Sequence, residues 1–319
     1  MFRSLLKRLA IAVVTLLAIS FVIFTILALA PGNPMSEFAT NPAITAEVRA
    51  AIRRSLGLDQ PFHIRYVKWL WALLHGDLGY SFTSRSPVLD LIWQRLPTTL
   101  WVVGISYFVS VAIAFPLGII SALRRNSLWD QIATTFSFLG YSLPTFFTGL
   151  LLIIIFSVQL KWLPFIYSST LKVTNFQTFI QQCLQSIMPI TVLALYQSAI
   201  LTRFIRNAVL EELPQDYVRT AYAKGLSEFD VLKKHILRNA LIPVVTLVAI
   251  DIPTIFTGAL ITEQIFRVPG IGALLIESIN RNDTPVIMGI TIIYALLVVL
   301  FNAFADMSYA FLDPRVQPK

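Results

Sequence analysis

Six stretches of this chain are apolar for long enough to cross a lipid bilayer, at roughly 9–30, 98–123, 132–158, 186–202, 240–261 and 285–305. About 20 helical residues cross a hydrocarbon layer about 30 Å thick, and that layer offers no partner to an unpaired backbone N–H or C=O. Each run must therefore close its own hydrogen bonds as a helix. The expected fold is all-α and integral to the membrane, with six transmembrane helices. Composition agrees: 56% of the 319 residues are hydrophobic and 13% are charged, whereas a soluble domain carries roughly 25% charged residues.

The basic residues lie between the apolar runs and set a direction. An even number of spans puts both termini on one side. With the ends inside, Arg3, Lys7, Arg8, Arg124, Arg125, Arg203, Arg206, Arg219, Lys224, Lys233, Lys234, Arg238, Arg315 and Lys319 face the cytoplasm, and the short outer loops hold only Lys161, Lys172, Arg267 and Arg281. Short cytoplasmic loops are the ones enriched in Lys and Arg, so the expected topology is N-in and C-in. The formal charge of +8 is then a topology signal, and the absence of a Lys/Arg-rich block argues against nucleic acid. Run 9–30 follows three basic residues as a signal peptide does, yet it exceeds the apolar core of about 7–15 residues typical of one, and is read as a retained first span. A single cysteine, Cys183, cannot form an internal disulfide, and no Cys/His cluster offers a metal site.

Residues 31–97 make a long extracytoplasmic segment between the first two spans, divided by Pro and Gly into helical pieces. In "TAEVRAAIRRSLG" Thr45 can cap a helix, Val48, Ile52 and Leu56 share a face, and Gly57 can end it. In "PFHIRYVKWLWALLHG" Phe62, Tyr66, Trp69, Leu70 and Leu73 form an apolar stripe between Pro61 and Gly76. Trp69 and Trp71 favour the headgroup level. Two readings stay open: a helix packed on the spans or the membrane, or a contact surface for an external partner.

The one extended charged insert among the later spans is 203–239. Pro214 breaks its first helix, Asp216 can cap a short second one in which Val218, Ala221 and Tyr222 share a face, and Gly225 can stop it with φ > 0. Ser227 with Asp230 resembles a capping box, and Phe229, Leu232 and Ile236 form the stripe of a third helix. Small Ala221 and Ala223 at the tip would let another protein's groove approach closely, and a plain solvated helical hairpin is the other reading.

These residues carry a resemblance. The stretch "DYVRTAYAKGLSEFDVLKKHILRNALIPVV" looks like the EAA-loop of binding-protein-dependent ABC importer permeases, in the peptide/nickel branch. The likeness runs over nearly the whole chain through "APGNP", "LGLDQPFHIRYVKWL", "HGDLGYSF", "RLPTTL", "TEQIFRVPGIGALL" and "LDPR". Arg219, Thr220 and Ala221 occupy the E-A-A positions and Gly225 matches the motif glycine; the proline of the motif comes late, at Pro243. The resemblance implies a type I permease architecture in the inner or plasma membrane of a prokaryote. It divides the chain into a first end and span at 1–30, the outer segment 31–97, a core at 98–310 that includes the loop, and a tail at 311–319. It also implies that Asp216, Arg219, Thr220, Ala221, Tyr222, Lys224, Gly225 and Leu226 couple to a cytoplasmic ATPase, and that the outer turn with Phe266, Pro269, Gly270 and Gly272 looks towards a substrate-binding protein. The implied partners are a second, related permease subunit, two ATP-binding subunits, an extracytoplasmic binding protein and membrane lipid.

Within the spans, Asp251 is a carboxylate near the middle of the fifth run, where exposure to lipid would cost at least about 2.5 kcal/mol. It must face protein or water, as a pathway residue meeting a cationic amine or as an interhelical hydrogen-bond partner. Gln197 and Ser198 can line a passage or simply join helices. Asp306, at the inner end of the sixth run, is satisfied cheaply there. Pro116, Gly118, Pro144 and Gly149 can kink helices or bring them close.

No G-x-x-x-x-G-K-[ST] sequence is present, so the expectation is that ATP and Mg²⁺ are held by partner subunits, with no cofactor and no catalytic residue in this chain. The leading cargo is a di- or oligopeptide, with a nickel or metal chelate or glutathione as alternatives. A secondary transporter would show inverted repeats and several intramembrane carboxylates, and an intramembrane enzyme would place a nucleophile and base within spans. His63, His75 and His235 all lie outside the apolar runs.

Overall fold

A computed structural model describes residues 2–29, 45, 47, 59–257 and 259–312, excluding the side chains of 2–9, 257 and 304–312. The expected helix at Thr45–Gly57, the "APGNP" and "LDPR" motifs, and the side chains of Arg3, Lys7, Arg8, Asp306, Arg315 and Lys319 lie outside that description. Eleven helices follow along the described chain: α1 (Phe2–Leu29), α2 (Phe62–Leu74), α3 (Val88–Leu123), α4 (Leu128–Ser142), α5 (Thr145–Gln159), α6 (Phe176–Glu212), α7 (Asp216–Ala223), α8 (Glu228–Phe256), α9 (Leu260–Phe266), α10 (Ile271–Asn280) and α11 (Thr284–Leu312). Among the described residues the secondary structure is helical apart from one isolated bridge, Tyr80 to Pro87.

Five helices, α1, α3, α6, α8 and α11, are long and apolar enough to cross a bilayer alone. The third expected span is not continuous. It is divided into α4 and α5, which meet at 98° and make a sixth crossing only as a pair. Proline disfavours helical backbone in the residue before it, and Leu143 is extended, with ψ 123° ahead of Pro144. The fourth run is the core of a much longer helix, α6, of 37 residues, opened by a reciprocal cap between Asn175 and Thr178.

The chain forms two compact units. The first comprises residues 1–96 and 274–299. There α2 packs on α1, with Phe62, Tyr66 and Trp69 in ring contact with Phe21 or Phe24 and the Tyr66 hydroxyl 2.9 Å from Ser20 Oγ. The apolar stripe of Phe62, Tyr66 and Trp69 therefore covers the first span, and Trp71 points away from it, exposed. In the same unit Asp283 is buried and gathers the "GYSF" loop: Ser81 Oγ donates to it at 2.5 Å and the Phe82 N–H at 2.9 Å.

The second unit, 97–273 and 300–319, is built on α3 packed along α6. α3 presents Ser106, Ser110, Ala114, Gly118 and Ala122, a small residue every fourth position, all buried. Small residues let membrane helices approach backbone to backbone. At Gly118 a Cβ would stand 2.8 Å from Ile205 of α6, so any larger residue pushes the two helices apart. α4 and α8 add to the flanks of α6, and one apolar cluster runs from Ala114 and Leu201 down to Val218, Ala221, Val231 and Ile236.

Candidate functional site

The hairpin between α6 and α8 carries a short helix at its tip, and local chemistry fixes both of its ends. Pro214 follows the end of α6, and α7 starts after Gln215, an extended residue that makes no side-chain cap; Asp216 is the first helical residue, not the cap expected from the sequence. At the other end Gly225 takes φ +78°. Its N–H bonds the Tyr222 carbonyl at 2.9 Å and the Leu226 N–H bonds that of Ala221 at 3.4 Å, the paired closure of a Schellman motif. Ser227 then accepts from the Asp230 N–H at 3.2 Å and opens α8.

Val218 and Ala221 point inward, onto Val231, Ile236 and the end of α6. Ala221 is only 3% exposed, so it anchors the tip on the layer beneath, and Tyr222 does not share its buried face. The outward surface includes Asp216, Arg219, Thr220, Tyr222, Ala223, Lys224 and Leu226, with Arg219 3.6 Å from the Asp216 carboxylate. Phe229 joins it, 69% exposed, with the Lys233 ammonium 6.0 Å from its ring centre. By spacing Phe229 shares an apolar stripe with Leu232 and Ile236; two residues after the Ser227 cap, it stands on the open side of the hairpin. Tyr217 ties α7 back to α6 by donating to the Glu212 carboxylate. Burial, helped by that carboxylate, raises the phenol above its ordinary 10.0. The result is an aromatic knob with charges of both signs around it, Arg219, Lys224 and Lys233 beside Asp216 and Glu228.

Within the helices, Gln197 of α6 donates to Asp251 of α8 at 3.0 Å, so two of the three expected pathway residues meet. Both are half-buried, and the Tyr107 hydroxyl of α3 lies beside the same carboxyl without a well-formed hydrogen bond. Ser198 is elsewhere: it is fully buried and returns its hydroxyl to the Leu195 carbonyl at 3.0 Å.

The "TEQIFRVPGIG" turn has a buried carboxylate at its centre. Glu263 accepts the Ala273 N–H at 2.8 Å, and Thr99 Oγ1 stands 3.3 Å from it while taking the Ile271 N–H at 2.8 Å. Together they satisfy the first turn of α10, whose orphan N–H groups favour negative charge. Glu263 explains both glycines: a Cβ on Gly270 would collide with the carboxyl group, and one on Gly272 would stand 2.9 Å from Oε2. Burial pushes the Glu263 pKa up, against the pull of the Ala273 N–H and Thr99. Phe266 is 2% exposed, packed with Val102, Tyr167, Met188 and Val192. Of the turn residues, Arg267 is exposed and Pro269 half-buried, whereas Phe266, Gly270 and Gly272 are inside.

A further cluster was not singled out from the sequence. Arg206 of α6 grips Asp130 of α4 through Nε at 2.8 Å and Nη2 at 3.0 Å, while Ser121 of α3 donates to Asp130 at 2.5 Å and the Asn126 N–H at 2.9 Å. The available signal was the S-x-x-D spacing of Ser127 and Asp130, a helix-start pattern at the edge of an apolar run. Among the described residues no group of three or more His, Cys, Asp or Glu side chains is placed to hold a metal ion.

Long apolar helices, one broken crossing and a charged hairpin closed on its own short helix define a multi-pass membrane permease. The chain belongs to the family of binding-protein-dependent transport system inner membrane components, whose model matches residues 114–318, with the corresponding N-terminal region matched over 1–103. It is the permease subunit of an ABC importer, a family that works with an ATPase and a substrate-binding protein. Among its relatives, the oligopeptide transport system permease protein AppB of Bacillus subtilis is 41% identical over 98% of both chains. A putative peptide permease protein of Brucella suis is 40% identical over 99% of both, and the dipeptide transport system permease protein DppB of Escherichia coli is 33% identical over the full length of both. The fold is shared with a chain of the MetNI methionine ABC transporter in an inward-facing form, with TM-score 0.54 and 18% identity over 70% of this chain and 97% of that one.

Proposed function

We propose that this chain forms half of an alternating-access pathway for di- or oligopeptides, driven by separate ATPase subunits that grip the hairpin tip at Asp216–Leu226. The tip carries the proposal. A helix of eight residues, pinned by Val218 and Ala221 inside and by Gly225 at its end, exposes an aromatic and charged surface on the most charged loop of an apolar chain. Such a knob moves as one piece with α6 and α8, so closure of the ATPases is transmitted to two spans at once. Arg219, Thr220, Tyr222, Lys224 and Leu226 form the contact, and Ala221 and Gly225 set its shape.

The remainder of the proposal follows from that docking. The tip is cytoplasmic, which puts both termini inside by the parity of six crossings and agrees with the Lys and Arg bias. A second, related permease completes the pathway, two ATP-binding subunits hold ATP and Mg²⁺, and an extracytoplasmic protein delivers cargo. This chain hydrolyses nothing. Asp251 with Gln197 is the polar station inside the spans, suited to a peptide's terminal ammonium. Arg267 and Pro269 are the accessible part of the outer turn for the binding protein. Three relatives named for peptide transport favour that cargo.

The test of cargo is binding by the partner binding protein, with uptake by the reconstituted importer, against di- and oligopeptides, nickel complexes and glutathione. Peptide binding with peptide uptake is expected; tight binding of a metal complex without peptide binding would overturn the assignment.

A further inference from the structure

Next to the Asp130–Arg206 pair, α4 and α6 enclose a cavity of about 330 Å³. Arg203, Asn207, Thr202, Ser137, Phe138 and Tyr141 are among the residues that line it. Asp130 is already neutralised by Arg206. Arg203 has no carboxylate in ion-pairing range among the described residues; its guanidinium lies 5.6 Å from the Tyr141 ring centre, an arrangement that orients the fork while leaving N–H edges free. The cavity thus holds one surplus positive charge. The Thr202 hydroxyl is buried with no hydrogen-bond partner, so turning it toward an anion breaks nothing.

Depth and rim narrow the ligand. Ser121 and the Asn126 N–H reach Asp130 from the α3–α4 turn, so one end of this cavity lies where exposed Arg124, Arg125 and Trp129 cluster, and it extends along α4 to Tyr141. Cations and Trp mark the headgroup level of a membrane face. The rim is apolar, with Phe138 and Tyr141 exposed on a helix of the membrane domain. A small free anion would meet Arg203 and leave that rim unfilled; an amphiphile satisfies both.

We infer that this cavity is a binding site for the phosphate headgroup of an anionic phospholipid, with Arg203 as the cation that holds it and Asn207 and Thr202 as further donors. Given the cytoplasmic placement proposed above, the lipid belongs to the inner leaflet, where anionic lipids attract basic side chains. The site is distinct from the hairpin tip and from Asp251.

The test is native mass spectrometry of the purified, assembled importer, with phosphatidylglycerol, phosphatidylcholine and inorganic phosphate as probes. Phosphatidylglycerol should be retained over phosphatidylcholine, and Arg203→Gln should lower its retention about fivefold, the effect of about 1 kcal/mol per basic residue at an anionic surface. Arg203→Lys should restore most of it, and excess phosphate should not displace the lipid. Equal retention in Arg203→Gln overturns the inference, as does full displacement by phosphate, which would make the site one for a free anion. If the isolated chain retains the lipid and the assembled importer does not, a protein partner covers the cavity and the inference falls. Unchanged retention with abolished ATPase coupling in Arg203→Gln would count against the lipid site while leaving the docking proposal standing.

Discussion

Arg206 and Asp130 meet through two parallel hydrogen bonds, at 2.8 and 3.0 Å, and join two helices that are neither adjacent in sequence nor similar in length. Bidentate geometry is the strong form of this contact, and Ser121 extends it to a third helix. α3, α4 and α6 are thereby locked at one end of the bundle.

Removing one partner should be worse than removing both, because a lone buried charge is left uncompensated. Asp130→Asn is expected to cost about 3 kcal/mol, discounted to the lower end of the usual range because Arg206 keeps some solvent contact. The double variant Asp130→Asn with Arg206→Gln should recover part of that loss. Thermal unfolding of the purified importer checks it; additive losses would show that the pair is not coupled.

Glu263 should behave as a pH-dependent element of stability. A carboxyl whose pKa is raised in the folded state stabilises fully below its unfolded value, ordinarily 4.5, and loses that contribution as pH rises through the raised folded value. The slope is bounded by about 1.4 kcal/mol per pH unit. Glu263→Gln keeps an acceptor for the Ala273 N–H and removes the titration, so its melting temperature should lose the decline that the parent shows over that window. A parallel decline in both proteins would assign the pH dependence elsewhere.

At the tip, Gly225 can be replaced in two informative ways. Alanine must adopt φ near +78°, a cost of about 1–2 kcal/mol for an L residue, and should weaken but retain cargo-stimulated ATP hydrolysis. Proline cannot reach that φ and also deletes the N–H given to Tyr222, so Gly225→Pro should abolish stimulation while the spans still insert. Normal stimulation in Gly225→Pro would sink the docking assignment.

Phe229 separates docking from folding. Because it is largely exposed, Phe229→Ala should leave stability within about 0.5 kcal/mol. Phe229 flanks the proposed contact at Asp216–Leu226, where truncating a residue that matters costs about 1 kcal/mol, so ATPase affinity should fall about fivefold. Pull-down of the ATPase subunits alongside a melting curve reads both quantities; unchanged capture would remove Phe229 from the interface.

Asp251→Asn keeps the hydrogen bond from Gln197 and removes the charge. If the carboxylate meets a terminal ammonium, uptake of free-amine peptides by proteoliposomes should fall about tenfold and the variant should not separate them from N-acetylated ones. A uniform loss for both kinds of peptide would make Asp251 a structural link between α6 and α8.

The apolar runs, the charged hairpin and the glycine that closes its tip were legible in sequence, because each depends on local physics. Span length follows from bilayer thickness, and φ > 0 after a helix calls for glycine. The outward knob was only half legible: Val218 and Ala221 share a face by helical spacing, but whether that face looks in or out depends on α6 and α8 lying beneath it. The same holds for Phe229, which follows an apolar periodicity and yet finds no neighbour to cover it.

Partnerships across the chain were the part that tertiary structure decided. Gln197 and Asp251 were each visible as polar residues in apolar runs, but their meeting depends on the rotation of α8 against α6. Asp130 with Arg206 and Glu263 with Thr99 and Ala273 join positions 76, 164 and 10 residues apart. No periodicity encodes such distances. The sequence by itself determined that this chain must cross a membrane as helices and must expose one charged hairpin, because solvent leaves no alternative for either. Which buried charges neutralise one another was decided by packing: Arg206 reaches Asp130 because α4 lies on the flank of α6, where Ser121 of the closely packed α3 joins them.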